Sequence, residues 1–276
     1  MATTVRVWHF LGVFIPIVIY HVYGVGFYIK TIWISNPDYV RLPKYKRLVW
    51  KIHRLQIALN PYYNHLSKEG KVKFISRLIH LFPKKQFVGR EGESITLEKK
   101  IIVLSALVQL TFGLKKYVLP RFEIIAIYPS DFYSRLLDVQ VKGLTFSKGH
   151  ILLSWFDTLK GFYKPKDNLN LAIHEWSHAL VIDHSHDSSK RMYATLNTRS
   201  DDLQSYYHDI KSNKDMYPYL REYGFTNEHE FFAVCAEHFF ETPEVFIREM
   251  PDVYVIFTAL LNQNPLNWSN DYKLES

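Results

Sequence analysis

The chain has 276 residues with a hydrophobic fraction of 47% and an aromatic fraction of 16%, core material enough to exclude a disordered or low-complexity protein. Its single cysteine, Cys235, cannot form an intrachain disulfide, which excludes small disulfide-built scaffolds and cysteine-rich zinc modules. The formal net charge of +7 is unevenly placed: Lys30 to Arg90 holds fourteen Lys and Arg against Asp38 and Glu69, about +12, while Glu91 onward sums to about −6. No helix-turn-helix, zinc-finger or RNP-type pattern accompanies the basic block, so no nucleic-acid partner is expected.

Val7 to Ile29 contains no Asp, Glu, Lys or Arg. As a helix this run would span about 35 Å against a hydrocarbon core of about 30 Å, which predicts a membrane anchor over residues 1–34 with one transmembrane helix. The run is longer than a signal-peptide core, and no small-x-small cleavage site follows it. Arg6 stands alone before it, whereas Lys30, Arg41, Lys44, Lys46, Arg47, Lys51 and Arg54 crowd the side after it. That asymmetry predicts a single-pass membrane protein with its C-terminal body facing the cytoplasm. Residues 35–54 then read as a basic juxtamembrane segment able to lie on anionic headgroups, and residues 55–276 as the folded body.

Within the body, Ser67–Leu81 carries Val72, Ile75, Leu78 and Ile79 at helical spacing until Pro83 stops it. A second helix opens near Ser94 and runs toward Gly113. Glu123–Tyr128 and Ile151–Phe156 are short, rich in β-branched or aromatic residues and bounded by turn residues, as strands of a sheet of two to four would be. After Pro165, Asp167 or Asn168 is placed to cap a helix reading LNLAIHEWSHALVI. Another long helix starts near Glu228 and ends at Thr242-Pro243, where Thr242 as N-cap and Pro243 at the first helical position start the next. Val253–Leu261 closes an α+β domain of helices around a small sheet.

His174-Glu175-Trp176-Ser177-His178 matches H-E-x-x-H. On a helix, positions i and i+4 share a face, so His174 and His178 can meet one Zn²⁺ while Glu175 handles a metal-activated water as general base. A third protein ligand is required, with a fourth position open for water. The metzincin continuation is absent, since Val181 replaces its glycine and His184 takes its last position. His184 and His186 are local candidates; Glu228, Glu230, Glu237 and His238 are candidates from the second helix.

The segments NLAIHEWSHAL, EHEFFAVCAEHFFETPEVF and ALLNQNPL, with GHILLSWFD before them, resemble the Mlc titration factor A family of zinc-dependent peptidases. The resemblance covers about Leu55 to Leu266 and implies a zincin-like fold with a metal site like that of the anthrax lethal factor catalytic domain. Residues 55–276 would then be a zinc metallopeptidase domain acting on a peptide or protein substrate. Position by position, it implies His174, His178 and Glu230 as ligands, Glu175 as general base and Tyr223 as an active-site phenol that stabilises the developing oxyanion. Glu237 falls where it could orient a ligand imidazole. One departure is local: relatives commonly carry Lys-Leu-Asp or Ala-Leu-Asp after the second histidine, and this chain has Ala179-Leu180-Val181. The resemblance also implies an alternative role, a membrane-tethered protein that binds and sequesters a partner such as a transcriptional repressor.

Overall fold

The computed structural model describes residues 45–185 and 203–274, with side chains from 184 onward in the first span left aside. Helix α1, Lys46–Leu59, buries Ile52 and Gln56 and turns its cations outward. Short α2, Pro61–His65, follows, capped by Asn60, and α3, Lys68–Leu81, starts at Ser67, whose hydroxyl accepts from the Gly70 amide. Strand β1, Gln86–Gly89, leads to α4, Leu97–Leu110, where the Thr96 hydroxyl caps the Lys99 amide. Every α4 residue from Ile101 to Leu110 is buried, so α4 is the axis of the domain rather than a surface helix.

Strands β2, Ile124–Tyr128, β3, Phe132–Ser134, β4, Val139–Val141, β5, Gly143–Phe146, and β6, His150–Ser154, complete the sheet region. The main sheet has the order β1-β2-β6-β5, with β1, β2 and β6 parallel and β5 antiparallel to β6; β3 and β4 form a separate hairpin. Helices α5, Trp155–Tyr163, and α6, Leu171–Ser185, follow, then a helical stretch at 203–212. The chain closes with α7, Glu228–Glu241, α8, Pro243–Glu249, and α9, Pro251–Leu261. Helix α6 packs between α4 and α7 and beneath β5, the position that builds the site. Trp176 is fully buried and donates from Nε1 to the Val103 carbonyl of α4 at 2.9 Å, so the middle of the H-E-x-x-H segment is anchored in the core.

Helices around a small sheet make the domain α+β, as the periodicities predict. The transmembrane part of that expectation is overturned. No helix among the described residues is long and apolar enough to cross a membrane. The longest of them, α6, has 15 residues, about 22 Å against a hydrocarbon core of about 30 Å. The apolar run at 7–29 lies outside the described residues, and a charge-free apolar run is a necessary condition for spanning that buried segments also satisfy. The single-pass placement with the catalytic domain facing the cytoplasm falls with it. Lys46, Arg47, Lys51 and Arg54, which carried much of the orienting charge, stand on the outer side of a packed helix, where amphipathicity alone accounts for them.

Two local expectations also change. Trp155 and Phe156 belong to α5 rather than to a strand, because Ser154 caps that helix by accepting from the Asp157 amide at 3.2 Å. Asn170, not Asp167 or Asn168, caps α6: its Oδ1 accepts from the Ile173 amide at 3.2 Å, whereas Asp167 accepts from Leu169 in the turn before. Thr242 precedes Pro243 as expected but makes no side-chain cap; its hydroxyl donates to Asn168 Oδ1 at 2.7 Å.

Candidate metal centre

Helix α6 presents His174 and His178 on one face, four residues apart, with Nε2 atoms 3.1 Å from each other. Helix α7 brings the third donor. Asn227 caps it by accepting from the His229 and Glu230 amides, each at 3.0 Å, which sets Glu230 in the first turn, where a carboxylate is favoured by the helix dipole. Glu230 Oε2 lies 3.0 Å from His174 Nε2 and 3.3 Å from His178 Nε2. Donor atoms of His174, His178 and Glu230 all fall within 4.8 Å of one another, two imidazole nitrogens and one carboxylate oxygen converging from two packed helices.

Two turns along α7, Glu237 faces the same imidazole from behind. Its Oε2 lies 3.1 Å from His174 Nδ1, and its Oε1 accepts from the Asn170 amide at 2.7 Å. An ionised carboxylate only accepts, so Nδ1 donates to Glu237, and it is the Nε2 proton that a metal ion would displace to use that nitrogen's lone pair. The Arg221 guanidinium pairs with the same Glu237 oxygen, Oε2. Replacing Glu237 with Gln is expected to weaken divalent-metal affinity by about 10–100-fold with the fold intact, read by competition against a chelating dye. Unchanged affinity would remove Glu237 from this role.

Glu175 is 4% exposed and lies under β5. Thr145 Oγ1 donates to its Oε2 at 2.7 Å, and the approach of the strand is so close that a Cβ at Gly143 would stand 2.2 Å from its Oε1. A side chain at position 143 would therefore displace the carboxylate. Burial pushes the Glu175 carboxyl above its ordinary value, with His178, His174 and Thr145 opposing. Burial also works against a charged His174, yet the Glu237 and Glu230 carboxylates outweigh it and hold the imidazole up to about 10. Glu230 sits well below the usual carboxylate range: burial acts against this, and hydrogen bonds from His174 and His178 prevail. Donors that keep protons among themselves in this way form a set from which a divalent cation displaces those protons, so the residues fit a metal.

Tyr223 rides on a 3-10 turn, Glu222–Phe225, with its ring centroid 6.0 Å from that of His174 and about half its surface exposed. Burial, then the Glu230 carboxylate, push its phenol up to about 12, so it remains a donor at neutral pH. The rival third ligands separate from the centre. Glu228 is engaged by Gln204 Nε2 at 2.8 Å, and His238 is buried against Tyr219 with neither ring nitrogen hydrogen-bonded. Burial and then Arg221 hold His238 down to about 3, a neutral core imidazole. The side chain of His184, and all of His186, lie outside the described residues. Thr145, Gly143 and Arg221 carry no sequence signal, because each reaches the site only through tertiary packing.

A family model described as glucose-regulated metallo-peptidase M90 matches residues 44–261. Mlc titration factor A of Yersinia enterocolitica serotype O:8 is 27% identical over 269 residues, covering 88% of this chain and 96% of its own. Mlc titration factor A of Yersinia pestis strain Pestoides F is 27% identical over 267 residues, covering 88% and 94%. The counterpart from Yersinia pseudotuberculosis serotype O:1b stands at the same identity and coverage. The matched span runs from the start of α1 to the end of α9 and takes in both helices that gather the donor atoms; the chain belongs to the glucose-regulated metallo-peptidase M90 family.

Proposed function

We propose that the chain is a zinc-dependent peptidase that hydrolyses peptide bonds, with His174, His178 and Glu230 holding the ion. The reading is supported above all by the convergence of those donors beside a buried Glu175. When bound, such an ion polarises a carbonyl and brings the pKa of water toward about 7. Glu175 takes a proton from the attacking water and returns it to the leaving amine, its carboxylate aimed by Thr145 and the bare backbone of Gly143. The Tyr223 phenol donates a hydrogen bond to the carbonyl oxygen as charge builds there.

Strand β6 has β2 on one side and β5 on the other. Among the described residues the edge beside Glu175 that carries no neighbouring strand is that of β5, so an extended peptide pairs there. Tyr223→Phe is expected to lower kcat by about 10²-fold, with KM within a few-fold and zinc retained. An unchanged kcat would leave the phenol without a part in the reaction.

The test of the function as a whole uses the full chain: elemental analysis for zinc and cleavage of a mixed peptide library before chelation, after it, and after zinc is restored. One zinc per chain and cleavage that follows the metal are expected. A chelated chain that cleaves as fast as the loaded one sinks the proposal.

The relatives' name, Mlc titration factor A, supports a second reading in which this chain binds and sequesters a regulatory protein. Binding of such a partner by a chelated, hydrolytically silent chain would favour it.

A further inference from the structure

The first turns of α3, the segment after α4, the end of α9 and the tail at 271–274 line an open cleft of about 710 Å³ away from the metal centre. That volume lies in the range of small-molecule sites. Its chemistry is lopsided. Lys73, Arg77, Lys115 and Lys273 line it against Glu69 and Asp271. Asp271 accepts from the Ser67 amide at 2.6 Å and the Ser67 hydroxyl at 2.7 Å, and its charge offsets part of the positive excess. Glu69 is exposed. Lys73 is only partly exposed and makes no ion pair among the described residues; its ammonium lies over the Phe112 ring, 4.2 Å from the centroid. Burial, then the neighbouring Arg77, hold that ammonium down to about 8, with the Asp271 carboxylate opposing and Lys273 adding to the crowding of positive charge.

Arg77 narrows the class of anion. Its terminal nitrogens donate to the carbonyls of Thr111 at 2.7 Å, Phe112 at 3.1 Å and Leu114 at 2.8 Å, and its guanidinium lies over the Tyr117 ring. It therefore adds positive potential but no free planar fork for a carboxylate. The remaining cations are ammonium groups, each with three donors and no fixed plane, which suit a tetrahedral oxyanion. We propose that this cleft binds a small phosphate-bearing anion, with Lys73 as its principal contact and Lys115 and Lys273 at its mouth.

The alternative is a lysine kept only for its packing on Phe112. Titration calorimetry of the full, zinc-loaded chain with inorganic phosphate, at constant ionic strength and with acetate as comparator, separates the two. Saturable binding of one phosphate per chain is expected, with acetate at least about tenfold weaker and Lys73→Gln weakened at least about tenfold. Lys73→Arg, which keeps the charge, should stay within a few-fold of the parent. Should Lys73→Gln fail to fold, the exposed pair Lys115→Gln and Lys273→Gln decides, with a combined loss of about fivefold expected. Absence of saturable binding in the parent overturns the proposal. So does phosphate binding that survives Lys73→Gln, or the exposed pair, at full strength, since the anion then sits elsewhere, the metal centre included.

Discussion

Glu175→Gln is expected to lower peptide hydrolysis by about 10²- to 10⁴-fold while the chain keeps its full zinc content. The substitution preserves the shape of the side chain and an oxygen that can still accept from Thr145, whose hydroxyl stands 2.7 Å from Glu175 Oε2 in the parent. It removes the basic oxygen to which the proposed mechanism assigns the proton of the attacking water. Glu175 is not among the converging donors of His174, His178 and Glu230, so metal retention is the expected companion of lost activity. Zinc content and single-turnover cleavage, measured on the same preparation, check both halves. Parent-like cleavage by the variant would remove Glu175 as general base; loss of zinc would mean that it helps hold the ion.

The second large effect is at Glu230. Among the described residues its carboxylate is the one negative donor at the centre, 3.0 Å and 3.3 Å from the two imidazole Nε2 atoms. Glu230→Ala is expected to weaken zinc binding by more than the roughly 10–100-fold assigned to Glu237, because a direct donor is lost rather than a group that orients one. Cleavage should fall to baseline at ordinary zinc concentrations. The fold should survive, since Glu230 stands in the first turn of α7 at the site's surface side while buried Phe231 and Ala233 carry the core contacts. Zinc titration with circular dichroism on the same samples separates these effects. Parent-like zinc affinity would reassign the third ligand.

The two variants bear on different parts of the reading. Glu175 tests the chemistry and Glu230 tests the centre on which it depends. A chain that loses zinc with Glu230→Ala but never cleaves a peptide as the parent would keep the metal site and lose the peptidase, leaving the sequestration reading to be examined.

Much of the centre was legible in the chain because its parts are local. A four-residue spacing on an apolar helix is enough to put His174 and His178 on one face, and Asn227 with the following acids marks the start of α7. The strands Ile124–Tyr128 and His150–Ser154 were legible for the same reason, being short apolar runs between turns. Less legible were β1 and β5. Gln86–Gly89 and Gly143–Phe146 are four residues each, half-exposed in large part, and too short for alternation to stand out. The membrane anchor failed for a different reason: apolarity and flanking charge are shared by spanning segments and by packed amphipathic elements, so composition alone could not choose between them.

By itself, then, the sequence determined the α+β class, the two histidines on one helix face, the glutamate between them and the family resemblance that singles out Glu230. Tertiary structure decided the rest. Only the packing of α7 on α6 brings Glu230 to His174, 56 residues away in the chain, and sets Glu237 behind that imidazole. Only the sheet order makes β5, and not β6, the edge over Glu175. The physical reason is range: a hydrogen-bonded helix relates residues three and four apart through its own geometry, whereas the ion-pair partner Arg221, the glycine at 143 and the free strand edge depend on which elements bury against one another.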